Sequence, residues 1–246
     1  ERIGVSKADS WIDMSILEDW LREDLNESAP RRIAVLKPLK LVIDNYPEAQ
    51  VEDCFAPNHP QQPEWGKRSV PFSKTLYIEQ EDFMEEPVKG YFRLAPGAEV
   101  RLRYAYIVKC VSVDKNAQGE IEAIHCTYDP DTKSGTEGAA QRKVKGNIHW
   151  LSASHAQQVE IRLYDRLFTD PYPGSGGKDY KNALNPDSKT IIHAFVEPAL
   201  HSAEPGQCFQ FERNGYFVTD RIDSTAEKPV FNRAVTLRDS WSKAAK

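Results

Sequence analysis

Two textures divide the chain. Over residues 10–27 apolar side chains recur at helical spacing, at Trp11, Met14, Ile16, Leu17, Trp20, Leu21 and Leu25, and Pro30 closes the stretch. That period predicts one amphipathic helix, with Ser10 or Asp13 placed to cap its start. Beyond Pro30, short β-branched and aromatic runs alternate with turn residues. They predict strands at Ile33–Leu36, Lys40–Ile43, Thr75–Ile78, Glu99–Val113, Ile121–Tyr128, Lys143–Leu151, Val159–Leu167, Ile191–Phe195, Cys208–Arg213 and Tyr216–Asp220. Asn214-Gly215 reads as a two-residue hairpin turn and Asp114–Gly119 as a longer hairpin loop. The stretch Cys54–Lys67 carries Pro57, Pro60 and Pro63, and proline cannot donate to a sheet ladder, so no central strand is expected there. Loops are expected after Asp129 through Gln141 and at Pro171–Gly177, and a short helix at Ala183–Ser188. Without strand–helix alternation, the pattern predicts a mainly β chain. Ten strands are more than one small barrel needs, so the expected fold is two small antiparallel β-barrels with a short N-terminal helical segment.

Composition narrows the classes. With 40% apolar and 28% charged residues over 246 positions, the chain has the make-up of a globular protein. No apolar run approaches the roughly 20 residues of a membrane span, and the first residues lack a signal-peptide layout. The four cysteines, Cys54, Cys110, Cys126 and Cys208, include no Cys-x-x-Cys pair. Buried free thiols in a reducing, cytoplasmic setting are expected. The six histidines show no zinc-type spacing, so no metal site is expected. Gly174-Ser175-Gly176-Gly177-Lys178 imitates a phosphate loop but has Tyr172 and Asp179 where that motif needs Gly and Ser or Thr. No catalytic constellation emerges from the residues.

Charge distribution says more than net charge. The total is −5, yet residues 89–109 carry five basic side chains (Lys89, Arg93, Arg101, Arg103, Lys109) against Glu99 alone. Residues 228–246 likewise carry five against Asp239 alone. Concentrated basic patches on an acidic chain suit a protein that draws a polyanion to one face. Within the strand expected at Glu99–Val113, period-two alternation puts Arg101 and Arg103 on one face about 6.6 Å apart. Two guanidiniums so placed suit single-stranded RNA, and the alternative is a solvated outer face with acidic cross-strand partners.

Several longer segments carry a resemblance: Arg22–Asn26 with Ala29-Pro30-Arg31, Lys40–Tyr46, Asn58-His59-Pro60, Val70–Ser73, Glu99–Arg103, Arg142–Trp150, Val159–Phe168, Phe209–Arg213 and Glu227–Arg233. Across essentially its whole length the chain resembles the C-terminal, anticodon-binding region of bacterial-type glutaminyl-tRNA synthetases. The resemblance implies a helical segment at 1–28 joining to a catalytic domain. It also implies a discontinuous proximal barrel at 29–80 and 155–246, and a distal barrel at 81–154. It implies RNA-binding roles for Arg31, Arg93, Arg101, Arg103, Gln210 and Arg213, the last two reading the middle uracil of the anticodon. Weaker roles fall on Asn26, Lys89, Phe92 and Ser240. Gly90 and Phe92 stand where relatives can have Gln and Lys, and Ser240 where Thr is usual, so Phe92 is expected to stack on a base. The family's His-Ile-Gly-His and Met-Ser-Lys motifs do not occur here. The resemblance therefore implies a fragment, inactive alone, of an ATP-dependent class I ligase. That parent enzyme is cytoplasmic and monomeric and is partnered by the tRNA anticodon stem-loop. The readings left beside it are a related glutamyl-tRNA synthetase of archaeal or eukaryotic type and a non-RNA β-barrel interaction module.

Overall fold

The computed structural model describes residues 12–238. Helix α1 runs Met14–Ser28, and of the two candidate caps it is Asp13 whose carboxylate accepts from Ser15 N at 2.8 Å. Leu25 is its buried residue; it packs with Ala29, Tyr216 and Val235 and so ties the helix to the first barrel. The strands follow in chain order: β1 (Arg31–Arg32), β2 (Ala34–Val35), β3 (Pro38–Ile43), β4 (Glu52–Pro57), β5 (Lys67–Phe72), β6 (Thr75–Glu79), β7 (Glu99–Leu102) and β8 (Ile107–Lys115). Then come β9 (Ile121–Asp129), β10 (Gly146–Ile148), β11 (Leu151–Ser152), β12 (Gln157–Tyr164), β13 (Lys189–Val196), β14 (Cys208–Phe211), β15 (Gly215–Thr219) and β16 (Val230–Val235).

Two seven-stranded sheets result, in the orders β1-β14-β15-β16-β12-β13-β2 and β10-β7-β8-β9-β3-β6-β11. Both close by one device. The two edges of the first sheet, β1 and β2, are consecutive in the chain with only Ile33 between them. One short segment therefore pairs with β14 on one side and β13 on the other, which forces the sheet to curl round. Residues 146–152 do the same for the second sheet, pairing with β7 and then β6 across the break at His149-Trp150. Each barrel has its own core. Phe209, Phe211, Phe217 and Phe231 fill the first, and Trp150, Phe72, Tyr46 and Tyr106 dominate the second. Full burial of each such ring contributes about 1.5–3 kcal/mol. Tyr77 of the second sheet stacks on Phe195 of the first at 4.4 Å between centroids.

Most pairings are antiparallel, but β1–β14, β7–β10, β12–β16 and β3–β9 run parallel. The barrels are thus mixed rather than purely antiparallel, because the closing segments and the long connections return strands in the same direction. Sheet membership also departs from the boundary expected at residue 80: β3 and β6 belong to the sheet of residues 99–152. The single strand expected over Glu99–Val113 breaks into β7 and β8 at a turn over 103–106. The proline-rich stretch forms no central strand, yet β4 and β5 pair as a separate two-stranded ribbon. Proline is tolerated there because few ladder bonds are at stake. No helix forms at Ala183–Ser188; a 3-10 turn precedes it at Tyr180–Ala183. The turn after β14 is a three-residue loop, Glu212–Asn214, because Phe211 pairs with Gly215. Cys54, Cys110 and Cys126 are buried free thiols and Cys208 is half-buried.

A histidine lock ties two carboxylates together on the surface of the second barrel. His125 Nδ1 lies 2.8 Å from Asp44 and its Nε2 2.9 Å from Asp114. Only the doubly protonated ring donates to both, so these two hydrogen bonds raise its pKa above the ordinary value. A pKa raised on folding adds stability that is full below the unfolded value and is lost as pH rises through the folded one. As pH rises above the ordinary histidine value, the thermal-unfolding midpoint of the wild type is expected to fall relative to that of His125→Gln. Parallel curves for the two proteins would refute the lock.

Candidate nucleic-acid interface

Two turns from different barrels meet and build a cleft. The β7–β8 turn contributes Arg103 and Tyr104, and the β14–β15 turn contributes Glu212 and Arg213. Glu212 is buried at 3% exposure and acts as the pin between them. Its carboxylate accepts from Tyr104 Oη at 3.1 Å, pairs with Arg103 Nε at 3.0 Å and lies 3.4 Å from Arg68 Nη2. Burial, with Glu212 adding to it, pushes the Tyr104 phenol up to about 12, so it stays a donor at neutral pH. Tyr104 and Arg213 are the non-glycine residues of the described chain in the left-handed region, with φ of 66° and 69°. Bulky side chains there cost of order 1–3 kcal/mol and persist where the surroundings over-determine them, typically at functional sites. Both line the same cleft.

That cleft has a volume of about 170 Å³, the scale of one nucleobase, and Asn26, Arg31, Pro57, Pro60 and Gln210 complete its wall. Arg31 and Gln210 are direct partners in the β1–β14 ladder. The Arg31 guanidinium is braced by Ala29 O at 2.7 Å and Asn26 Oδ1 at 2.8 Å. Burial pulls its pKa down, with Tyr216 and Glu212 opposing, so the charge is held at a cost that an incoming anion or acceptor would relieve. Gln210 Nε2 donates to Tyr216 Oη at 2.8 Å, and Tyr216 Oη lies 3.4 Å from Asn26 Oδ1. The chain of donors fixes the amide orientation and leaves Gln210 Oε1 as an acceptor. Asn26 is in turn held by buried His59, whose Nε2 meets Asn26 O at 2.8 Å.

Five of the residues expected from sequence thus share one cleft: Asn26, Arg31, Arg103, Gln210 and Arg213. Arg93 stands just outside. Its Nη1 lies 3.2 Å from Asp82 Oδ1, and Asp82 also binds Arg213. Arg101 is elsewhere, and the paired face expected for Arg101 and Arg103 does not form, because β7 ends at Leu102. Arg101 donates to Thr132 O at 2.8 Å and also reaches the carbonyls of Ala105, Ala139 and Arg142 at 3.3–3.4 Å. It fastens the 130–142 loop, which is not irregular throughout, as expected, but carries a 3-10 turn at Pro130–Thr132 and a short helix at Glu137–Gln141. Lys89 is exposed. Phe92 is 55% exposed with Lys145 Nζ 4.8 Å from its ring centroid. Its carbonyl presses on Gly146, where an added Cβ would come within 2.2 Å of it. Ser240 lies outside the described residues. Sequence reasoning missed Tyr104, Glu212, Tyr216 and Asp82. None belongs to a local motif, and Tyr104 and Glu212 matter only through a contact spanning 108 positions.

A family model described as tRNA synthetases class I (E and Q), anti-codon binding domain, matches residues 29–129, and a second of the same description matches residues 147–220. The chain belongs to this family of anticodon-binding domains. Both matched segments feed the cleft: Arg31, Arg103 and Tyr104 come from the first, Gln210, Glu212 and Arg213 from the second. The loop fastened by Arg101 fills most of the interval between them. Among curated relatives, a glutamine–tRNA ligase of Nitrosomonas europaea is 65% identical over 243 residues, covering 99% of this chain and 44% of the relative. One of Cupriavidus metallidurans is 61% identical over 243 residues, covering 99% and 42%. One of Polynucleobacter necessarius is 55% identical over 247 residues, covering 98% and 42%. The chain spans less than half the length of these relatives. Among the described residues, no helix is long and apolar enough to cross a membrane, and no cluster of three or more His, Cys, Asp or Glu side chains could hold a metal ion.

Proposed function

We propose that this anticodon-binding chain reads the glutamine anticodon as part of a glutamine–tRNA ligase, with the cleft taking the middle uracil. The supporting observation is the convergence on one base-sized cleft of Arg31, Arg103, Gln210 and Arg213, two turns held in unfavourable backbone to make it. Uracil presents one ring N–H donor flanked by two carbonyl acceptors. Gln210 Oε1, left free by the bond to Tyr216, accepts from the N–H, and arginine N–H groups donate to the carbonyls. Cytosine keeps the O2 acceptor but puts an acceptor at N3 and an amino donor at C4, which opposes Gln210 Oε1 and one of the arginine donors. Arg93, linked through Asp82 to the cleft residue Arg213, serves a neighbouring nucleotide by charge, and Lys89 and the Phe92–Lys145 pair act as weaker contacts by charge and stacking. Arg101 shapes the adjacent loop, and Ser240 follows its family position as a weaker RNA contact.

In this reading the parent enzyme is a cytoplasmic, monomeric ligase that uses ATP on its catalytic domain. The His-Ile-Gly-His and Met-Ser-Lys motifs that would carry this ATP chemistry do not occur in the chain. The purified chain is therefore expected to show no ATP–pyrophosphate exchange. The glutamate-type alternative shares the family description, but the relatives above are named as glutamine–tRNA ligases, which favours the glutamine reading.

Binding of an anticodon stem-loop tests it. The logarithm of the affinity for the glutamine-anticodon stem-loop is expected to fall linearly with the logarithm of salt concentration. A stem-loop with the middle uracil replaced by cytosine is expected to bind more weakly. Replacing the final guanine by cytosine separates the glutamine from the glutamate reading. Salt-independent binding, or equal affinity for all three stem-loops, would overturn the proposal.

A further inference from the structure

We propose that Asp82, which lies outside the cleft, is the positioning residue that sets Arg213 for reading the base, with His149 as its second support. The inference rests on the function proposed above. Asp82 ends the 3-10 turn Gln80–Asp82 after β6 and is fully buried. Its backbone is fixed by Leu94 N, which donates to Asp82 O at 2.9 Å. Both carboxylate oxygens accept from Arg213, at 2.6 Å from Nη2 and 2.6 Å from Nη1. This bidentate pair joins residues 131 positions apart, one from each sheet's chain segments.

The geometry assigns the remaining donors. A guanidinium has five N–H groups in a rigid plane. Asp82 takes the end-on fork, one N–H from each Nη. His149, fully buried, has Nδ1 3.4 Å from Arg213 Nη1. Arginine only donates, so Nδ1 is the accepting nitrogen; the ring proton sits on Nε2, which faces Glu79 Oε1 at 3.4 Å. What is left is the side-on fork, Nε–H and the outer Nη2–H, and among the described residues neither has a protein partner. Two parallel donors on a residue that lines the cleft match a pair of acceptors on a bound nucleotide. Asp82 thus decides which edge of Arg213 the RNA meets, and it holds in place a residue whose backbone φ is 69°. Its Oδ1 also lies 3.2 Å from Arg93, but Arg93 is held independently by the Glu81 carbonyl at 3.1 Å and the Glu81 carboxylate at 3.2 Å.

Asp82→Asn removes one acceptor and the charge. Its affinity for the glutamine-anticodon stem-loop is expected to fall about tenfold, while affinity for the stem-loop with a middle cytosine stays nearly unchanged, so discrimination collapses. A purely structural bridge predicts instead a lower unfolding midpoint and the same fractional loss for both RNAs, and that result overturns the proposal. Should Asp82→Asn fail to fold, Asp82→Glu, which keeps the charge and moves it by one methylene, is expected to fold and to lose discrimination in part. Full discrimination by Asp82→Glu then overturns the proposal. In a double-mutant cycle, Asp82→Asn is expected to add nothing to Arg213→Ala; additive losses would show that Asp82 acts independently of Arg213. The wild type is measured first: absence of discrimination there defeats the anticodon reading itself, whereas discrimination retained in both wild type and variant defeats only the role of Asp82.

Discussion

Glu197→Ala is expected to lower the unfolding free energy by about 3–5 kcal/mol, the usual result of removing one partner from a buried ion pair. Glu197 has no exposed surface. Its carboxylate binds Arg68 through Nε and through Nη2 at 3.1 Å, accepts from Ile33 N at 2.9 Å and lies 3.7 Å from Arg32 Nε. Burial works against the Arg68 charge, but Glu197 and then Glu212 outweigh it and hold the guanidinium above its ordinary pKa. The alanine variant takes the closer of two carboxylates from buried Arg68, leaving that of Glu212 at 3.4 Å, and removes the carboxylate beside Arg32. It also orphans the N–H of Ile33, the residue between β1 and β2 where the first barrel closes. Chemical denaturation gives the readout. A loss under about 1 kcal/mol would show the network to be as weak as a surface bridge. Because Arg31 sits two positions before Ile33, stem-loop affinity is expected to fall together with stability. Glu197→Leu combined with Arg68→Met should recover much of the stability, since an apolar pair of similar volume avoids the desolvation cost.

Arg31→Ala is expected to weaken binding of the glutamine-anticodon stem-loop by about 1–3 kcal/mol and to narrow its margin over the middle-cytosine stem-loop. Arg31 commits two N–H groups to Ala29 and Asn26 and lines the cleft with the remainder. Its ladder partner Gln210 supplies the acceptor beside it, so Gln210→Ala is expected to move discrimination in the same direction. Arg101→Ala is the control. Its guanidinium is spent on loop carbonyls outside the cleft, so all stem-loops are expected to weaken about equally. Direct titration of the two stem-loops against each variant decides it. An Arg31→Ala protein that binds more weakly but discriminates as well as wild type would mark Arg31 as a phosphate contact.

The helix was legible locally: the apolar period, Asp13 and Pro30 are all contained within about twenty residues, and Asp13 caps where expected. The strand-rich class was legible for the same reason, since period-two alternation is local. Family membership was legible because segments from Arg22 to Arg233 match the family together, and they marked five residues that the fold brings to one cleft. What escaped the sequence was everything set by contacts between distant segments. Arg101 and Arg103 alternate correctly for one strand face, yet the chain turns after Leu102, and one arginine is spent on a loop while the other reaches Glu212. Asn214-Gly215 carries the letters of a tight hairpin, yet Arg213 takes the left-handed position because Asp82, Arg103 and Tyr104 hold that turn from outside. Closure of both barrels hangs on Ile33 and on His149-Trp150, residues with no local mark of a strand break. The physical reason is common to all three. Local pattern fixes which residues are apolar and how they repeat, whereas a buried carboxylate such as Asp82, Glu197 or Glu212 acquires its partners only when the two barrels pack and water is excluded between them.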